Sequence, residues 1–237
     1  MKRLCIGMFL ILPFTHQAQD IHFSQMAYSP LTLNPALTGA NYDLQANINY
    51  RNQWNSVAEP FQTIAASVDT RLNAKKKRMK KAHLAAGINF FNDRAGSAQV
   101  MTNNVNLHFA THVMLGAGHT LGAGIYGGWA QRSINPYVGQ WGSQYNGLTY
   151  DPTIQSGELF ASSAFHMFDT GAGLVYTFQS GESRIAENDT KLLNVGFAAY
   201  HLNRPGYSFI DRPQERMYMR FSGFVNGSFG IRNTRVI

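Results

Sequence analysis

The sequence predicts an all-β chain that forms an antiparallel, up-and-down transmembrane β-barrel of the outer-membrane type, with about nine strands in an incomplete barrel. Three observations predict this fold. Apolar and polar residues alternate along most of the chain, only 14% of the residues are charged although 13% are aromatic, and the polar strand faces consist of small neutral residues. Because globular proteins contain roughly 25% charged residues, this composition is typical of a β-rich chain embedded in a membrane.

The first 18 residues have the pattern of a secretory signal peptide. Two basic residues precede an apolar block at 4–14, and Ala18 stands where a signal peptidase would cut. The block is shorter than the roughly 20 apolar residues that a membrane-spanning helix needs. We therefore expect residues 1–18 to be a cleavable signal on a chain that reaches the outer membrane. Cys5, the only cysteine, lies inside this signal.

Residues 19–43 form an N-terminal segment with neither helical nor strand periodicity. Its sequence is "QDIHFSQMAYSPLTLNPALTGANYD", in which Pro30 and Pro35 exclude a continuous central strand because proline cannot donate to the ladder. The segment follows the signal and precedes the first strand, so we expect it to plug the lumen of the barrel or to line its periplasmic rim. The side chains expected against the inner wall are those of Phe23, Tyr28, Leu31, Leu33 and Leu37.

The alternation begins at residue 44, and residues 44–237 form the predicted barrel domain. In "LQANINYR", at 44–51, apolar residues occupy one face and polar residues the other, because successive strand side chains point to opposite sides. The same pattern predicts strands at 61–72, 82–91, 104–113, 193–200 and 217–226. Three noisier strands, rich in glycine and aromatic residues, are predicted at about 119–132, 158–168 and 171–179. Tight connections are predicted at "GAGH" (116–119) and "FDTG" (168–171), and no helix is predicted.

Two folds are compatible with this alternation, a soluble β-sandwich with polar residues outside and a membrane barrel with a polar lumen. A solvated face normally carries Lys and Glu, whereas the polar faces here carry Asn, Gln, Thr, Ser, Gly and His. The barrel interior is therefore the better interpretation. If the first strand runs outward, the 133–157 connection is extracellular, and the basic turn and the 201–216 connection are periplasmic.

One predicted turn carries most of the excess positive charge, which is +7 for the whole chain. Six of the 20 basic residues are in this basic turn, namely Lys75, Lys76, Lys77, Arg78, Lys80 and Lys81. We expect the basic turn to be either a solvated hairpin loop or a surface for a periplasmic partner. No nucleic-acid partner is expected for an exported chain.

The sequence contains no pattern that predicts an enzyme or a cofactor site. His108 and His112 lie on one face of a predicted strand, but the rise per residue separates such a pair by about 13 Å, which is too far for one metal ion. The glycine-rich stretch "GAGHTLGAG" at 116–124 has neither the dinucleotide-binding nor the Walker spacing, and a strand follows it. We therefore expect no catalytic activity, no cofactor and no metal.

Several segments together resemble a known family. They are "QDIHFSQMAYSPLTLNPALTGA", "NINYRNQWNSV", "PFQTIAASVD", "GINFFNDRAGS", "GGWAQRSI" and "AAYHLNRP". In order and spacing they resemble the PorP/SprF family of the type IX secretion system in Bacteroidota, from about Gln19 to Arg216. The resemblance implies an outer-membrane barrel that supports the export and surface attachment of adhesin-like cargo with a C-terminal secretion signal. It also implies contacts with outer-membrane lipid and with periplasmic components of the secretion and gliding machinery.

The matching motifs provide candidates for residues that characterise the family or that contact its partners. These residues lie in the N-terminal segment, near the end of the first strand, in the "NDRAG" turn and in the "HLN" motif. The candidates are Phe23, Asn34, Pro35, Asn49, Tyr50, Arg51, Trp54, Asn92, Asp93, Arg94, Gly96, His201, Leu202 and Asn203.

Members of the family continue past the "HLN" region with further strands, whereas this sequence stops at "SFGIRNTRVI". Because single-chain bacterial barrels have an even number of strands, we expect a C-terminally truncated product and an incomplete barrel. Two other functions stay open on the sequence. One is a small-molecule porin, suggested by the neutral lumen face, and the less favoured one is a secreted β-sandwich binding module.

Overall fold

The structure is a computed structural model. It describes residues 28–56, 59–73, 81–158, 160, 162–180, 183–184, 187–188, 191–210 and 215–230. The predicted signal at 1–18, the side chain of Phe23 and most of the basic turn lie outside these residues. The basic residues outside them are Lys75, Lys76, Lys77, Arg78 and Lys80. Lys81 is described, and its side chain is exposed.

Eight antiparallel strands form one sheet that is curled into a half-barrel. The described residues contain ten strands in all, the eight of this sheet and two short ones: β1 (Leu44–Gln53), β2 (Phe61–Arg71), β3 (Ala82–Ala95), β4 (Val100–Gly116), β5 (His119–Ser133), β6 (Ala164–Ser180), β7 (Ser183–Arg184), β8 (Glu187–Asn188), β9 (Lys191–Tyr200) and β10 (Arg220–Phe229). The sheet order is β1-β2-β3-β4-β5-β6-β9-β10, and β7 and β8 form a separate hairpin. Within the described strands β1 and β10 are unpaired edges. The predicted all-β, up-and-down, incomplete barrel is confirmed.

The described residues contain three short helices, two in the N-terminal segment and one in the 134–163 connection. They are α1 (Pro30–Leu33) and two 3-10 helices, Pro35–Leu37 and Gly142–Gln144. The first two each begin with a proline, which suits a first helical position because the N–H there has no intrahelical partner. Among the described residues, none of the helices has the length and apolar character that a membrane crossing requires.

The burial of the strand side chains is the reverse of that in a soluble sandwich. On the convex face, large apolar side chains are exposed, such as Ile48 at 82% and Val225 at 74%. On the concave face, polar side chains are buried, such as Asn89 at 3% and Asn194 at 3%. A continuous apolar convex surface is unfavourable in water but is what the lipid-facing band of a membrane barrel requires. The membrane barrel, and not the sandwich, is therefore the correct interpretation.

The turn that the sequence predicts at 168–171 is absent, and this part of the prediction is wrong. Residues 168–171 lie inside β6, where Phe168 pairs with Trp129 and Gly171 pairs with Tyr126. Asp-Thr-Gly favours a turn locally, but the Asp169 side chain is buried on the concave face. The strands predicted at 158–168 and 171–179 are therefore one strand, and the main sheet has eight strands rather than nine.

Joining these two strands reverses the predicted direction of the strands that follow. Antiparallel order brings the connections 54–60, 96–99, 134–163 and 201–219 to one end of the sheet, which we call the long-loop rim. The connections 72–81, 117–118 and 181–190 meet at the other end, the short-turn rim. The predicted placement of the 201–216 connection beside the basic turn is therefore wrong. It lies at the same rim as the long 134–163 connection.

Candidate functional site: the concave face and the N-terminal segment

The N-terminal segment lies on the concave face, against glycines from four strands. A Cβ atom built on Gly124 would lie 2.5 Å from backbone atoms of Pro35 and Ala36, and one built on Gly173 would collide with the Asn34 side chain. The absence of side chains at these positions gives the segment's backbone room to approach the sheet. We call the set the glycine lane, and it consists of Gly87, Gly124, Gly173 and Gly196.

Asn34 fastens the segment to the middle of the sheet. Its Nδ2 donates to the backbone oxygen of Leu174 at 3.0 Å and to that of Phe197 at 3.2 Å, so one amide bridges β6 and β9. Its Oδ1 accepts from the backbone N–H of Ala36 at 2.8 Å, which caps the 3-10 helix. The Asn34 side chain is completely buried, and these bonds satisfy both ends of its amide.

Arg71 of β2 holds the end of the segment at the short-turn rim. Its Nε donates to the backbone oxygen of Gly39 at 2.7 Å, its Nη2 donates to that of Ala40 at 2.7 Å, and its Nη1 pairs with Asp43 at 3.0 Å. Beside it, Oδ2 of Asp69 accepts from the backbone N–H of Gly39 at 2.7 Å. Charged side chains thus replace the ladder partners that this irregular backbone lacks.

Side chains from three other strands bind further carbonyl groups of the segment. His112 of β4 places its Nε2 at 2.9 Å from the backbone oxygen of Thr38, and the stacked ring of His83 contacts the next carbonyl at 3.2 Å. Because a carbonyl oxygen can only accept, each ring donates through its Nε2. Asn49 of β1 donates to the backbone oxygen of Tyr28 at 2.8 Å. The segment is therefore held from both sides of the half-barrel.

The apolar side chains predicted to pack against the inner wall differ in their burial. Leu31 is 1% exposed and Leu37 is 8% exposed, and Leu33 packs against the small cluster that contains Leu37. Tyr28 is 60% exposed, and Phe23 lies outside the described residues. The placement against the wall is therefore observed for the leucines and not for Tyr28.

We expect the substitution Asn34→Asp to lower the free energy of unfolding by about 2 kcal/mol. The aspartate is nearly isosteric, but it directs a carboxylate oxygen at two backbone carbonyl oxygens to which the amide donates. Urea unfolding of the protein in detergent micelles, followed by tryptophan fluorescence, measures the change. Asn52→Asp, at an exposed position near the end of β1, is the control and should be neutral. Equal losses in the two variants would contradict the role of Asn34.

A cavity of about 300 Å³ lies on the same concave face, between the N-terminal segment and the long-loop rim. Its walls are inner-face residues of β1 to β6, and Tyr207 and Met217 of the 201–219 connection cover it. The charged or ionisable residues that line it are Arg51, Asp93, Arg132, Asp169 and His201. The concave face is thus divided into a part filled by the segment and an open part that is lined by both polar and apolar side chains.

Asp169 organises the wall of this cavity. Its Oδ2 accepts from the Tyr126 hydroxyl at 2.5 Å, and its Oδ1 lies 2.9 Å from Nδ1 of His201 and accepts from the backbone N–H of Thr170 at 2.8 Å. The Tyr126 ring stacks on His108 at 5.5 Å between ring centroids. His201 adopts a φ of +58°, a left-handed conformation that is uncommon for residues other than glycine. The carboxylate therefore fastens a strained loop residue to the sheet.

Backbone contacts extend this attachment to the rest of the "HLN" motif. The backbone N–H of Leu202 donates to the oxygen of Thr170 at 3.0 Å, and Nδ2 of Asn203 donates to the oxygen of Phe168 at 2.5 Å. The side chain of Leu202 is 46% exposed. The motif thus continues the β6 ladder and directs the 201–219 connection back over the cavity.

The 134–163 connection presents exposed apolar groups at the long-loop rim. Tyr137 is 95% exposed and Leu148 is 92% exposed. Hydrogen bonds within the loop hold its backbone in place. The side-chain amide of Gln144 donates to the backbone oxygen of Ile154 at 2.9 Å. Hydrogen bonds from Thr153 to the Asp151 carboxylate also hold the pKa of Asp151 below its usual range. An ordered loop with apolar tips is suited to contact with another molecule.

Some of the nominated residues meet on the concave face. Asn34, Pro35 and Asn49 belong to the contacts of the N-terminal segment. Arg51, Asp93 and His201 line the cavity.

Other nominated residues lie apart from the concave face. Tyr50 and Trp54 are each 63% exposed, and the Trp54 ring meets Phe61 edge to face at 5.1 Å between centroids. Asn92 donates to Asn103 at 2.7 Å, and Arg94 is exposed. Gly96 has a φ of +68°, which the turn after β3 requires. That these residues contact partners stays a prediction.

Sequence reasoning missed the residues that do most of the holding. These are Asp69, Arg71, Tyr126, Asp169 and the glycine lane; Arg132, which lines the cavity, was also missed. A signal for the lane exists in the repeated "GAG" at 122–124 and 171–173, because glycine at every second position places both glycines on one strand face. Among the described residues, no cluster of three or more His, Cys, Asp and Glu side chains has the geometry to hold a metal ion.

The apolar convex face and the polar concave face, against which the N-terminal segment lies, are those of a membrane protein of the β-barrel class. The family model described as "Type IX secretion system membrane protein PorP/SprF" matches residues 15–235. The chain belongs to this family, and is therefore a membrane protein associated with type IX secretion. No curated protein and no solved structure matches it.

Proposed function

We propose that the protein is a non-catalytic accessory barrel of the outer membrane that supports the export and cell-surface attachment of adhesin-like cargo with a C-terminal secretion signal. In this proposal residues 1–18 are a cleavable signal, and the convex apolar face contacts outer-membrane lipid. The periplasmic components of the secretion and gliding machinery contact the short-turn rim, where the basic turn provides the charge. The cargo contacts the long-loop rim.

The observation that carries the proposal is the occupied concave face. A barrel that conducts solutes needs an open lumen, whereas here the N-terminal segment is bound to six strands through the side chains of Asn34, Asn49, Arg71, His83 and His112. A porin is therefore less well supported than a docking protein. The exposed side chains of Tyr137 and Leu148 support contact with a polypeptide at the long-loop rim.

A gene deletion in the native host tests the proposal. We expect the deletion strain to lose adhesin from the cell surface, as measured with antibodies on intact cells, and a plasmid copy to restore it. A matched plasmid copy with Tyr137→Ser and Leu148→Ser should reach the outer membrane in normal amounts and restore less surface adhesin. Normal surface adhesin in the deletion strain, or recovery of the mature protein from the soluble periplasm, would contradict the proposal.

A further inference from the structure

The cavity beside Asp169 contains a buried arginine, Arg132, which attracts the Asp93 carboxylate but forms no close ion pair with it. Arg132 extends from β5 into the cavity, and its guanidinium carbon lies 4.5 Å from the centroid of the Tyr207 ring. Its Nε is buried and has no hydrogen-bond partner among the described residues. No carboxylate oxygen of those residues lies within 4.0 Å of the guanidinium. A buried donor without a partner is unfavourable, so this position favours an acceptor from outside the chain.

The acidic residues of the cavity already have partners. Oδ1 of Asp93 accepts from the Thr63 hydroxyl at 2.6 Å. Both oxygens of Asp169 are engaged, one by Tyr126 and the other by His201. Within the described residues the Nε–H of Arg132 is therefore a donor without an acceptor, and a ligand that brings an acceptor oxygen to it, such as a carboxylate, completes the cavity.

A second residue of the cavity wall, Asn104, has a buried acceptor without a partner in the described part of the chain, and this acceptor indicates which group lies next to the carboxylate in the ligand. Oδ1 of Asn104, on the neighbouring strand β4, is buried and has no partner among the described residues. It can accept from an N–H group of a ligand whose carboxylate reaches Arg132. The remaining walls include Phe61, Phe91 and Met167, which suit an apolar side chain. A volume of about 300 Å³ lies at the lower end of small-ligand pockets, so it holds a residue or two of an extended chain.

We propose that this cavity binds a carboxylate carried by a polypeptide. Arg132 recognises the carboxylate, Tyr207 holds the guanidinium by stacking, and Asn104 accepts from the peptide N–H. The inference rests on the proposed docking of a polypeptide at this end of the barrel. The carboxylate belongs either to an acidic side chain or to a free C-terminus, which share the same chemistry.

Fluorescence anisotropy of labelled hexapeptides, with the purified full chain in detergent micelles, tests the proposal. Three peptides of otherwise equal sequence serve as probes: one with a free C-terminus and Gln, one amidated with Glu, and one amidated with Gln. We expect at least one carboxylate-bearing peptide to bind about tenfold or more tightly than the amidated Gln peptide. The peptide that does so identifies the source of the carboxylate. Equal binding of all three, or no binding, overturns the proposal.

Variants of the chain locate the site. We expect Arg132→Gln to reduce the affinity for the carboxylate peptide to that for the neutral peptide, and Arg132→Lys to reduce it less. Arg216→Gln, at an exposed arginine in the same 201–219 connection, is the matched control and should bind normally. If Arg132→Gln does not fold, Tyr207→Leu removes the stacking partner from a loop and should weaken binding severalfold. Normal binding by the folded variants overturns the proposal.

The peptide measurement separates this inference from the proposed function. If deletion of the gene removes surface adhesin but Arg132→Gln binds the peptide normally, the function stands and the assignment of Arg132 falls. If the peptide binds through Arg132 but surface adhesin is normal in the deletion strain, the site stands and the proposed role in cargo attachment falls.

Discussion

Replacing Gly124 by valine is expected to displace the N-terminal segment from the concave face while the sheet stays intact. The Cβ atom alone would lie 2.5 Å from backbone atoms of Pro35 and Ala36, and valine adds two methyl groups. Backbone atoms cannot rotate away as the end of a flexible side chain can, so the segment has to move as a unit. The hydrogen bonds of Asn34 to β6 and β9 are lost in the same movement.

Cysteine labelling measures this displacement. Cys5 is the only cysteine, so a chain with Cys5→Ser and Ala36→Cys carries a single thiol, at a position that is 0% exposed. We expect this thiol to react slowly with a maleimide when residue 124 is glycine. With Gly124→Val it should react at least about tenfold faster, which corresponds to about 1.4 kcal/mol in the free energy of local opening.

Gly127→Val is the matched control. Gly127 lies in the same strand on the convex face, and the nearest atom to a Cβ built there is a side-chain carbon of Phe168 at 3.4 Å. We expect labelling at the slow rate. Fast labelling in both variants would indicate a general loosening of β5, and slow labelling in both would show that the glycine lane does not seat the segment.

Asp169→Ala is expected to lower the free energy of unfolding by about 3 kcal/mol. The substitution leaves the Tyr126 hydroxyl and the His201 ring without their shared partner, in a wall where Asp169 is 5% and Tyr126 is also 5% exposed. It also releases His201, whose left-handed backbone is strained unless its surroundings hold it. We therefore expect the 201–219 connection to become susceptible to proteases along with the loss of stability.

Urea unfolding in detergent micelles and limited proteolysis check the two parts of this expectation. Asp169→Asn keeps one acceptor oxygen and should lose less stability than Asp169→Ala. Glu158→Ala, which removes a carboxylate at an exposed position in the same 134–163 connection, is the surface control and should leave the unfolding midpoint unchanged. A stable Asp169→Ala variant with a protected connection would show that the loop is held by other contacts.

The strands and their faces were predictable because the alternation that encodes them is local. The segment "LQANINYR" at 44–51 predicts a two-faced strand, and β1 is Leu44–Gln53 with its apolar residues outside. The neutral polar faces also predicted the concave face correctly, since a lumen and a solvated surface select different polar residues. The family was recognisable for a different reason, because its motifs recur in order over most of the chain.

The candidate site was predictable only in part, because its contacts join distant parts of the sequence. Asn34 bonds to carbonyls 140 and 163 positions away, and no local pattern indicates those partners. The failure at "FDTG" has the same cause. Asp169 has turn propensity in its own neighbourhood, but Tyr126, 43 positions earlier, and His201 hold it inside β6. Buried polar contacts here override local propensity, which is common where a structure serves a function.

The N-terminal segment has a consequence for the circumference of any closed barrel built on this sheet. An eight-stranded barrel is just wide enough inside for side chains, whereas this concave face holds a length of helical backbone. The edge strands β1 and β10 are each ten residues long and contain neither Lys nor Pro, which commonly protect an exposed edge. Both edges can pair with further strands. A closed barrel that encloses the N-terminal segment needs more than eight strands. The contents of the lumen therefore set the minimum diameter of the wall.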